Sequence, residues 1–197
     1  MYHDRLFPTS VFLKDDFFDN YKKIEDLVRS DYQENTPYWQ STPDLYRKKP
    51  YEDFTKSVLL VNSEVLNSMK WVYEGFKITS MWSNVLKPGE THNVHSHANN
   101  FLSGVYYPYA EKSHAGITFF DPRAQANVIK PLKVESNIDN SDVYEYESKT
   151  NRIIIFPSWL KHFVAVNNSN DSRISISWNI QLTGKINDSN LFQSAEF

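Results

Sequence analysis

Three histidines have the residue type and spacing of a metal site. His95 and His97 lie two positions apart in an apolar segment, and His162 follows much later in a second one. Residues at i and i+2 of a β-strand point to the same face, so the first two imidazoles would project together. A third imidazole from a distant strand could complete a facial site. Neutral imidazole suits Fe, Zn, Cu and Ni alike, so the ligand type alone does not select the metal.

An arginine follows the third histidine on the next predicted strand. In the run R-I-S-I-S-W-N-I, strand alternation places Arg173, Ser175, Ser177 and Asn179 on one face and apolar residues on the other. This polar face is either the solvent side of an edge strand or the lining of a pocket. In a pocket, the guanidinium could hold a carboxylate through a charge-assisted, bidentate pair.

Composition excludes several other kinds of site. The 197-residue chain contains no cysteine, which rules out disulfides, thiolate metal ligands and cysteine nucleophiles. The formal charge is −3 without a basic run, which argues against nucleic acid and anionic membrane as partners. No long apolar run and no signal-peptide pattern is visible in the sequence. We therefore expect a cytoplasmic protein without a membrane partner, located in the cytoplasm of whichever host cell expresses it.

The first third of the chain predicts helices that pack on a sheet. Residues 15–29 have apolar side chains at helical spacing, with Asp15 or Asp16 as the N-cap, and residues 51–72 repeat the pattern. The polar, proline-containing segment 31–50 predicts a loop. The two expected stripes consist of Phe17, Tyr21, Ile24 and Val28, followed by Phe54, Val58, Val61, Val65, Met69 and Val72.

From about residue 76 the hydrophobic period changes toward two, with turn residues between short apolar runs. Many short strands without intervening helices indicate a mainly β sandwich or barrel. We predict one domain over residues 1–197, with a helical part at 1–75 and a strand-rich core at 76–182. The predicted strands are 77–86, 93–98, 101–109, 116–120, 127–133, 143–148, 152–156, 162–167 and 173–182.

Four segments together resemble the 2-oxoglutarate, Fe(II)-dependent oxygenases. They are NVHSHANNFLSGVYYPY, GITFFDPR, IIIFPSWLKHFVAV and RISISWN, with a weaker likeness at FPTSVF and YWQSTPDL. The sequence is most similar to a branch of oxygenases without an assigned substrate, found in bacteria and tailed phages, and more distantly resembles the prolyl hydroxylases. This resemblance implies a double-stranded β-helix, or jelly roll, with the N-terminal helices packed on one face.

The resemblance also implies a dioxygenase reaction and a role for each candidate residue. Fe(II) and the co-substrate 2-oxoglutarate would activate O₂, with succinate and CO₂ as products and hydroxylation of a further substrate. No protein acid or base is required. The implied metal ligands are His95, His97 and His162, and the implied co-substrate residues are Arg173 and Tyr107, with Ser175 assisting. From the residues alone, Tyr107 could equally be a core tyrosine.

One position departs from the wider family. Most members have aspartate or glutamate two residues after the first histidine, which gives a 2-His-1-carboxylate triad. This chain has His97 there, and the closer branch resembles it in that respect. The substitution removes one negative charge from the iron, so a dianionic co-substrate would offset more of the metal charge. Asn99 or Asp121 could then supply an oxygen near the metal.

Several residues near these segments have no assigned role. His92 is interpreted as a surface residue. For Asp121, a place in a surface turn is the simpler interpretation than a place near the metal. Trp82, Asn84 and Trp159 could line a cleft or only pack, so they are not included in the predicted site.

Two other functions fit part of the pattern. A cupin, which is a metal-binding β-barrel enzyme without a keto-acid co-substrate, would match Gly89 followed by His95 and His97. However, Phe101 and Leu102 stand where its glutamate is expected. A non-catalytic jelly-roll binding module with a metal is the second alternative. Keto-acid turnover separates the three functions. The sequence indicates neither the substrate, small molecule or protein, nor the oligomeric state.

Overall fold

Two larger antiparallel sheets, one two-stranded sheet near the C-terminus and two helices form the computed structural model of this chain, which describes residues 1–123, 125, 128–188, 190 and 192–197. The helices are α1 (Tyr21–Asp31) and α2 (Glu52–Ser68), and two short 3₁₀ turns lie at Leu45–Arg47 and Lys49–Tyr51. The strands are β1 (Phe12–Lys14), β2 (Gly75–Leu86), β3 (His92–His95), β4 (Leu102–Tyr109), β5 (Ile117–Phe120), β6 (Val143–Tyr146), β7 (Arg152–Pro157), β8 (His162–Val164), β9 (Arg173–Thr183), β10 (Lys185–Ile186) and β11 (Ala195–Glu196).

The strand order is that of a jelly roll. The larger sheet runs β1-β7-β4-β9-β2 and the smaller one β3-β8-β5-β6, with antiparallel pairing throughout both. Strands that are neighbours in a sheet come from distant parts of the chain, because the chain crosses repeatedly between the sheets. The predicted mainly β jelly-roll fold is confirmed. The prediction that residues 1–197 form one domain stays a prediction.

The helices cover one face of the larger sheet, as predicted. Their buried side chains form a continuous apolar cluster with β2, β4, β7 and β9. Burial of a large aliphatic or aromatic side chain contributes roughly 1.5–3 kcal/mol, so this cluster is a main source of stability. Its helical members are Ile24 and Val28 of α1, and Phe54, Val58, Val61, Val65 and Leu66 of α2.

A glycine allows a close approach within this layer. Gly104 of β4 pairs with Trp178 of β9, and the indole lies where a Cβ at position 104 would project. Any side chain there would displace a tryptophan that is fully buried. The absence of a side chain at Gly104 therefore allows Trp178 to pack directly against the backbone of β4.

A second apolar cluster lies between the two sheets. It includes Phe119 and Phe156, whose ring centroids are 4.8 Å apart, together with Val105, Tyr107 and Ile117. The cluster fills only part of the space between the sheets. The remaining space forms the cavity that is described below.

The helix boundaries differ from the prediction. α1 begins at Tyr21 with Asn20 at its N-cap, so neither Asp15 nor Asp16 caps it. Asp15 Oδ1 instead accepts from Arg152 Nε at 2.6 Å, and Asp16 has a φ of 51°. Residues Phe12–Lys14, for which no element was predicted, form an edge strand on β7. α2 ends at Ser68 and not at residue 72, and Val72 is exposed. Neither helix in the described part of the chain has the length and apolarity needed to cross a bilayer.

The predicted strand at 127–133 is wrong for the residues that can be compared. Residue 127 lies outside the described residues, and residues 128–133 form no strand. Their apolar side chains Val128, Ile129 and Leu132 are exposed. Pro131 within the run lacks the N–H that a strand ladder requires, which opposes strand formation there.

Candidate metal centre and co-substrate pocket

A cavity of about 440 Å³ lies between the two sheets. This volume is within the usual range for small-ligand sites. All six residues predicted to bind metal or co-substrate lie on its wall. They are His95, His97, His162, Arg173, Tyr107 and Ser175.

The three predicted metal ligands converge at one place. Their candidate ligand atoms all lie within 4.8 Å of one another. Ring centroids are 4.3 Å apart for His95 and His162, 5.0 Å for His95 and His97, and 5.1 Å for His97 and His162. The pairing of β3 with β8 places His95 directly opposite His162, and opposite residues of antiparallel strands share a face. One ion could contact all three rings.

The strand argument is only partly right for His97. β3 ends at His95, so His97 lies just beyond the strand and not within it. Its backbone N–H donates to the carbonyl of Ser158 at 2.9 Å, and the Trp82 ring lies 6.0 Å from its ring. These contacts, and not strand alternation, direct the imidazole toward the other two.

Backbone carbonyls set the orientation of two of the rings. His95 Nδ1 lies 2.7 Å from the carbonyl oxygen of Asn93, and His162 Nδ1 lies 2.8 Å from that of Leu160. A carbonyl can only accept, so Nδ1 carries the proton in both rings and Nε2 retains its lone pair. This arrangement is typical of metal-binding histidines, and the site therefore fits a metal ion.

Burial keeps the imidazoles of His97 and His162 uncharged. Desolvation lowers the pKa of His162 to about 3 and that of His97 to about 4. The neutral form is the one that binds metal, so neither ring has to release a proton at neutral pH.

No carboxylate joins this set within the part of the chain that the structure describes. Asp121 is bound by Arg123, with Nε to Oδ1 at 3.0 Å and Nη2 to Oδ2 at 2.8 Å, and is not on the cavity wall. Asn99 is exposed, has a φ of 61°, and also lies off the wall. The candidate ligand set therefore consists of three imidazoles and no carboxylate.

A buried positive charge lies further along the cavity. Trp82 lies beside His97 and pairs with Ser177 of β9, so Ser177 marks the level of the histidines on that strand. Arg173 lies four residues before Ser177, about 13 Å further along β9. Arg173 is 2% exposed. Its Nη1 donates to the Ala115 carbonyl at 2.8 Å, and its guanidinium carbon lies 5.3 Å from the centroid of the Tyr107 ring.

This arginine has no counter-ion among the described residues: no carboxylate oxygen lies within 4.0 Å of its nitrogens. Burial lowers the pKa of Arg173, which reflects the cost of an uncompensated buried charge. A buried cation is costly unless it is paired and hydrogen-bonded. An anionic ligand in the cavity would supply the missing partner.

Two donors beside the cavity also lack acceptors. Arg173 Nε and Tyr107 Oη are buried and make no hydrogen bond to any described residue. Burial raises the pKa of Tyr107, so its hydroxyl stays protonated and can donate. Leaving such a group unpaired costs about 1–3 kcal/mol, so a carboxylate that accepts from both would relieve the cost. Ser175, which is buried on the same face of β9, lies next along the strand.

Sequence reasoning missed part of the cavity wall. Tyr38 and Gln40 come from the predicted loop 31–50 and reach the wall through an isolated bridge between Gln40 and Asn84. Gln40 Nε2 donates to Asn84 Oδ1 at 2.8 Å. Trp82 and Asn84, which had no assigned role, line the cavity, and the alternation along β2 was the signal that could have found them. Trp159 is 58% exposed and lies off the wall.

His92 is also misplaced by sequence reasoning. It was interpreted as a surface residue, but it is partly buried and lies on the cavity wall. Its position depends on an irregularity in β3 that the sequence pattern does not predict.

Comparison with a family model identifies the class of protein. The model described as "Putative 2OG-Fe(II) oxygenase" matches residues 80–179, just over half of the chain. The matched segment contains all six predicted site residues. No curated protein matches the chain in sequence.

Solved structures share the fold at low sequence identity. The epimerase SnoN from nogalamycin biosynthesis superposes with a TM-score of 0.64 at 7% identity, covering 93% of this chain and 81% of that one. A prolyl-4-hydroxylase from Pseudomonas putida gives 0.61 at 13% identity, covering 88% and 93%. HygX from Streptomyces hygroscopicus, solved with nickel and 2-oxoglutarate bound, gives 0.59 at 7% identity, covering 88% and 83%.

The chain belongs to the 2-oxoglutarate, Fe(II)-dependent oxygenase family. It is accordingly an oxidoreductase with Fe(II) as its metal and 2-oxoglutarate and O₂ as its co-substrates. The family, the enzyme class and the cofactors predicted from the sequence are confirmed. These matches give no support to the cupin or to the non-catalytic binding module.

Proposed function

We propose that this enzyme binds Fe(II) through its three clustered histidines and holds the distal carboxylate of 2-oxoglutarate with Arg173, in order to hydroxylate a further substrate. Tyr107 and Ser175 assist Arg173 in this assignment. The observation that carries the proposal is the cavity itself. It combines a cluster of three imidazoles with a buried arginine that lacks a counter-ion among the described residues.

The protein residues bind, orient and exclude water. When bound, Fe(II) with 2-oxoglutarate and O₂ supplies the oxidising chemistry, and 2-oxoglutarate leaves as succinate and CO₂. The carbonyls of Asn93 and Leu160 hold two imidazoles in position, and Arg173 fixes one end of the co-substrate. The apolar side chains of Val105 and Phe156 on the wall restrict water around it. Fixed orientation of the reacting groups is the main contribution that such a site can make.

The remaining wall constrains the substrate. Apart from Arg173 and the histidines, the described wall residues carry no ionisable group other than tyrosine, and no lysine or carboxylate is among them. Tyr38, Trp82 and the hydrogen-bonded pair Gln40 and Asn84 form its outer part. This wall favours a substrate that presents an uncharged group to the metal, whether it is a small molecule or part of a protein. The cytoplasmic location stays a prediction.

Turnover without the substrate tests the proposal. Anaerobically purified protein is supplied with Fe(II), 2-oxoglutarate, ascorbate and O₂, and succinate is measured. We expect slow, iron-dependent succinate formation that is lost in His162→Ala and retained in His3→Ala, because His3 is exposed and lies off the cavity wall. If stoichiometric iron is bound but no keto acid is consumed, the oxygenase assignment of this site is wrong.

A further inference from the structure

An irregularity in β3 turns a fourth histidine into the cavity. On β3 the paired residues are His92 and His95, whereas their partners on β8 are Val164 and His162. The step is therefore three residues on one strand and two on the other. Under strict alternation His92 and His95 would point to opposite faces. The extra residue works as a β-bulge does, since it returns His92 to the face of His95, and bulges recur beside active sites for this reason.

His92 lies on the arginine side of the metal ligands. His92 lies opposite Val164, which pairs with Ile117 on β5, whereas His95 lies opposite His162, which pairs with Phe119. Arg173 donates to the carbonyl of Ala115, two residues before Ile117, so the step from His95 to His92 leads toward the guanidinium. Burial lowers the pKa of His92 to about 4, and the positive charge of Arg173 lowers it further.

The ring of His92 has a free donor. At neutral pH it is uncharged, so one ring nitrogen carries a proton and the other a lone pair. No hydrogen bond from another described residue acts on it. His92 is outside the group of His95, His97 and His162, whose candidate ligand atoms all lie within 4.8 Å of one another. A contact with a bound ligand therefore fits His92 better than a fourth metal bond.

We propose that His92 is a further positioning residue for the distal carboxylate of the keto acid, to which it donates a hydrogen bond beside Arg173, Tyr107 and Ser175. The inference rests on the proposed function of the cavity. A carboxylate offers about four lone-pair sites, enough to accept from all four side chains. In this arrangement His92 also helps to select keto acids that carry a second carboxylate.

Binding measurements on nickel-loaded protein test this proposal without turnover. Nickel(II)-loaded wild type and His92→Ala are titrated by calorimetry with 2-oxoglutarate and with 2-oxobutanoate, which has the same chelating end but no distal carboxylate. A hydrogen bond to a charged group is strong enough to predict roughly a tenfold or larger loss for 2-oxoglutarate. We expect no change for 2-oxobutanoate. His92→Gln, which keeps a donor, should recover part of the affinity.

Matched controls separate this contact from a structural effect. Val94→Ala changes an exposed residue of the same strand and should leave both affinities unchanged. Nickel stoichiometry and the thermal midpoint are measured for each variant. Equal losses for both keto acids, or an unchanged affinity for 2-oxoglutarate in His92→Ala, would overturn the proposal for His92 alone. If wild type binds metal but neither keto acid, the proposed function fails as well.

Discussion

Both faces of β9 are buried over Arg173–Ile176, but they differ in composition and in hydrogen bonding. The face toward the helices is fully buried and packs in the apolar cluster; it carries Ile174, Ile176 and Trp178. Arg173 and Ser175 are 2% exposed on the opposite face. There a charge lacks a counter-ion among the described residues, and its Nε lacks an acceptor. The single unpaired polar atom of these three outer residues is Trp178 Nε1.

This difference separates stability from function along one strand. The outer face carries a single unpaired polar atom, Trp178 Nε1, and contributes to folding through apolar packing. The unpaired groups on the inner face reduce the free energy of unfolding of the ligand-free protein. A bound ligand can form hydrogen bonds with them. Substitutions on the two faces should therefore affect different measurements.

The largest expected effect is at the metal cluster. His162→Ala removes the central imidazole of the set, which pairs with His95 across the sheet and contacts both other rings. We expect the purified variant to hold no stoichiometric Fe(II), by metal analysis. Full iron occupancy in this variant would contradict the assignment of His162 as a ligand.

Substitutions on the outer face of β9 should reduce the free energy of unfolding more than substitutions on its inner face. Ile176→Ala opens a cavity in the helix-facing core and should cost about 2–5 kcal/mol of unfolding free energy. Ser175→Ala, one residue away on the inner face, removes a hydroxyl that lines an existing cavity and should cost less than about 1 kcal/mol. Denaturant unfolding of the two variants measures the contrast. Similar losses in both would show that the inner face is also needed for folding.

Substitution of Arg173 should reduce the affinity for 2-oxoglutarate without reducing the stability of the protein. Arg173→Met retains most of the side-chain volume but removes a buried charge, so the ligand-free protein should be as stable as wild type or more stable. Binding of 2-oxoglutarate should weaken by more than about tenfold, because loss of one partner of a buried charged pair typically costs roughly 2–5 kcal/mol. Iron content should not change. Unaltered calorimetric affinity for 2-oxoglutarate would refute the role of Arg173.

The sequence predicted the residues of the site better than their geometry. The alternation through Arg173 and Ser175 indicated the polar face of β9, but it could not show whether that face met solvent or a cavity. That depends on β9 lying between β4 and β2, which is a tertiary property. The resemblance to a family resolved this ambiguity.

Elements that depend on single contacts were not predictable. Asp15 or Asp16 was expected to cap a helix, but Asp15 pairs with Arg152 and the helix starts at Tyr21. The bulge that turns His92 inward and the bridge that brings Gln40 to the cavity arise from pairing with distant strands. Local periodicity carries no signal for either.

Acid should destabilise the metal-free protein through the same histidines. The folded-state pKa values of His162 and His97, about 3 and about 4, lie below the ordinary value of about 6.5 for an unfolded chain. Between these limits the unfolded state binds more protons, so stability is full above about pH 6.5 and falls as the pH decreases toward 4. Denaturant midpoints at pH 7.5 and pH 5 measure this, and His97→Gln should show a smaller decrease than wild type.

The smallest expected effect concerns the histidine at the usual carboxylate position. Three neutral imidazoles leave the full charge of Fe(II) to attract the dianionic co-substrate, whereas His97→Asp would cancel one unit of it. We expect iron to remain bound and the affinity for 2-oxoglutarate to fall by about 1 kcal/mol, the energy of two unit charges about 4 Å apart in a water-like dielectric. His97→Asn is the matched control, because it offers an oxygen of the same reach without the charge. A loss that is equal in the aspartate and asparagine variants would show that ligand geometry, and not charge, explains why a histidine functions at this position.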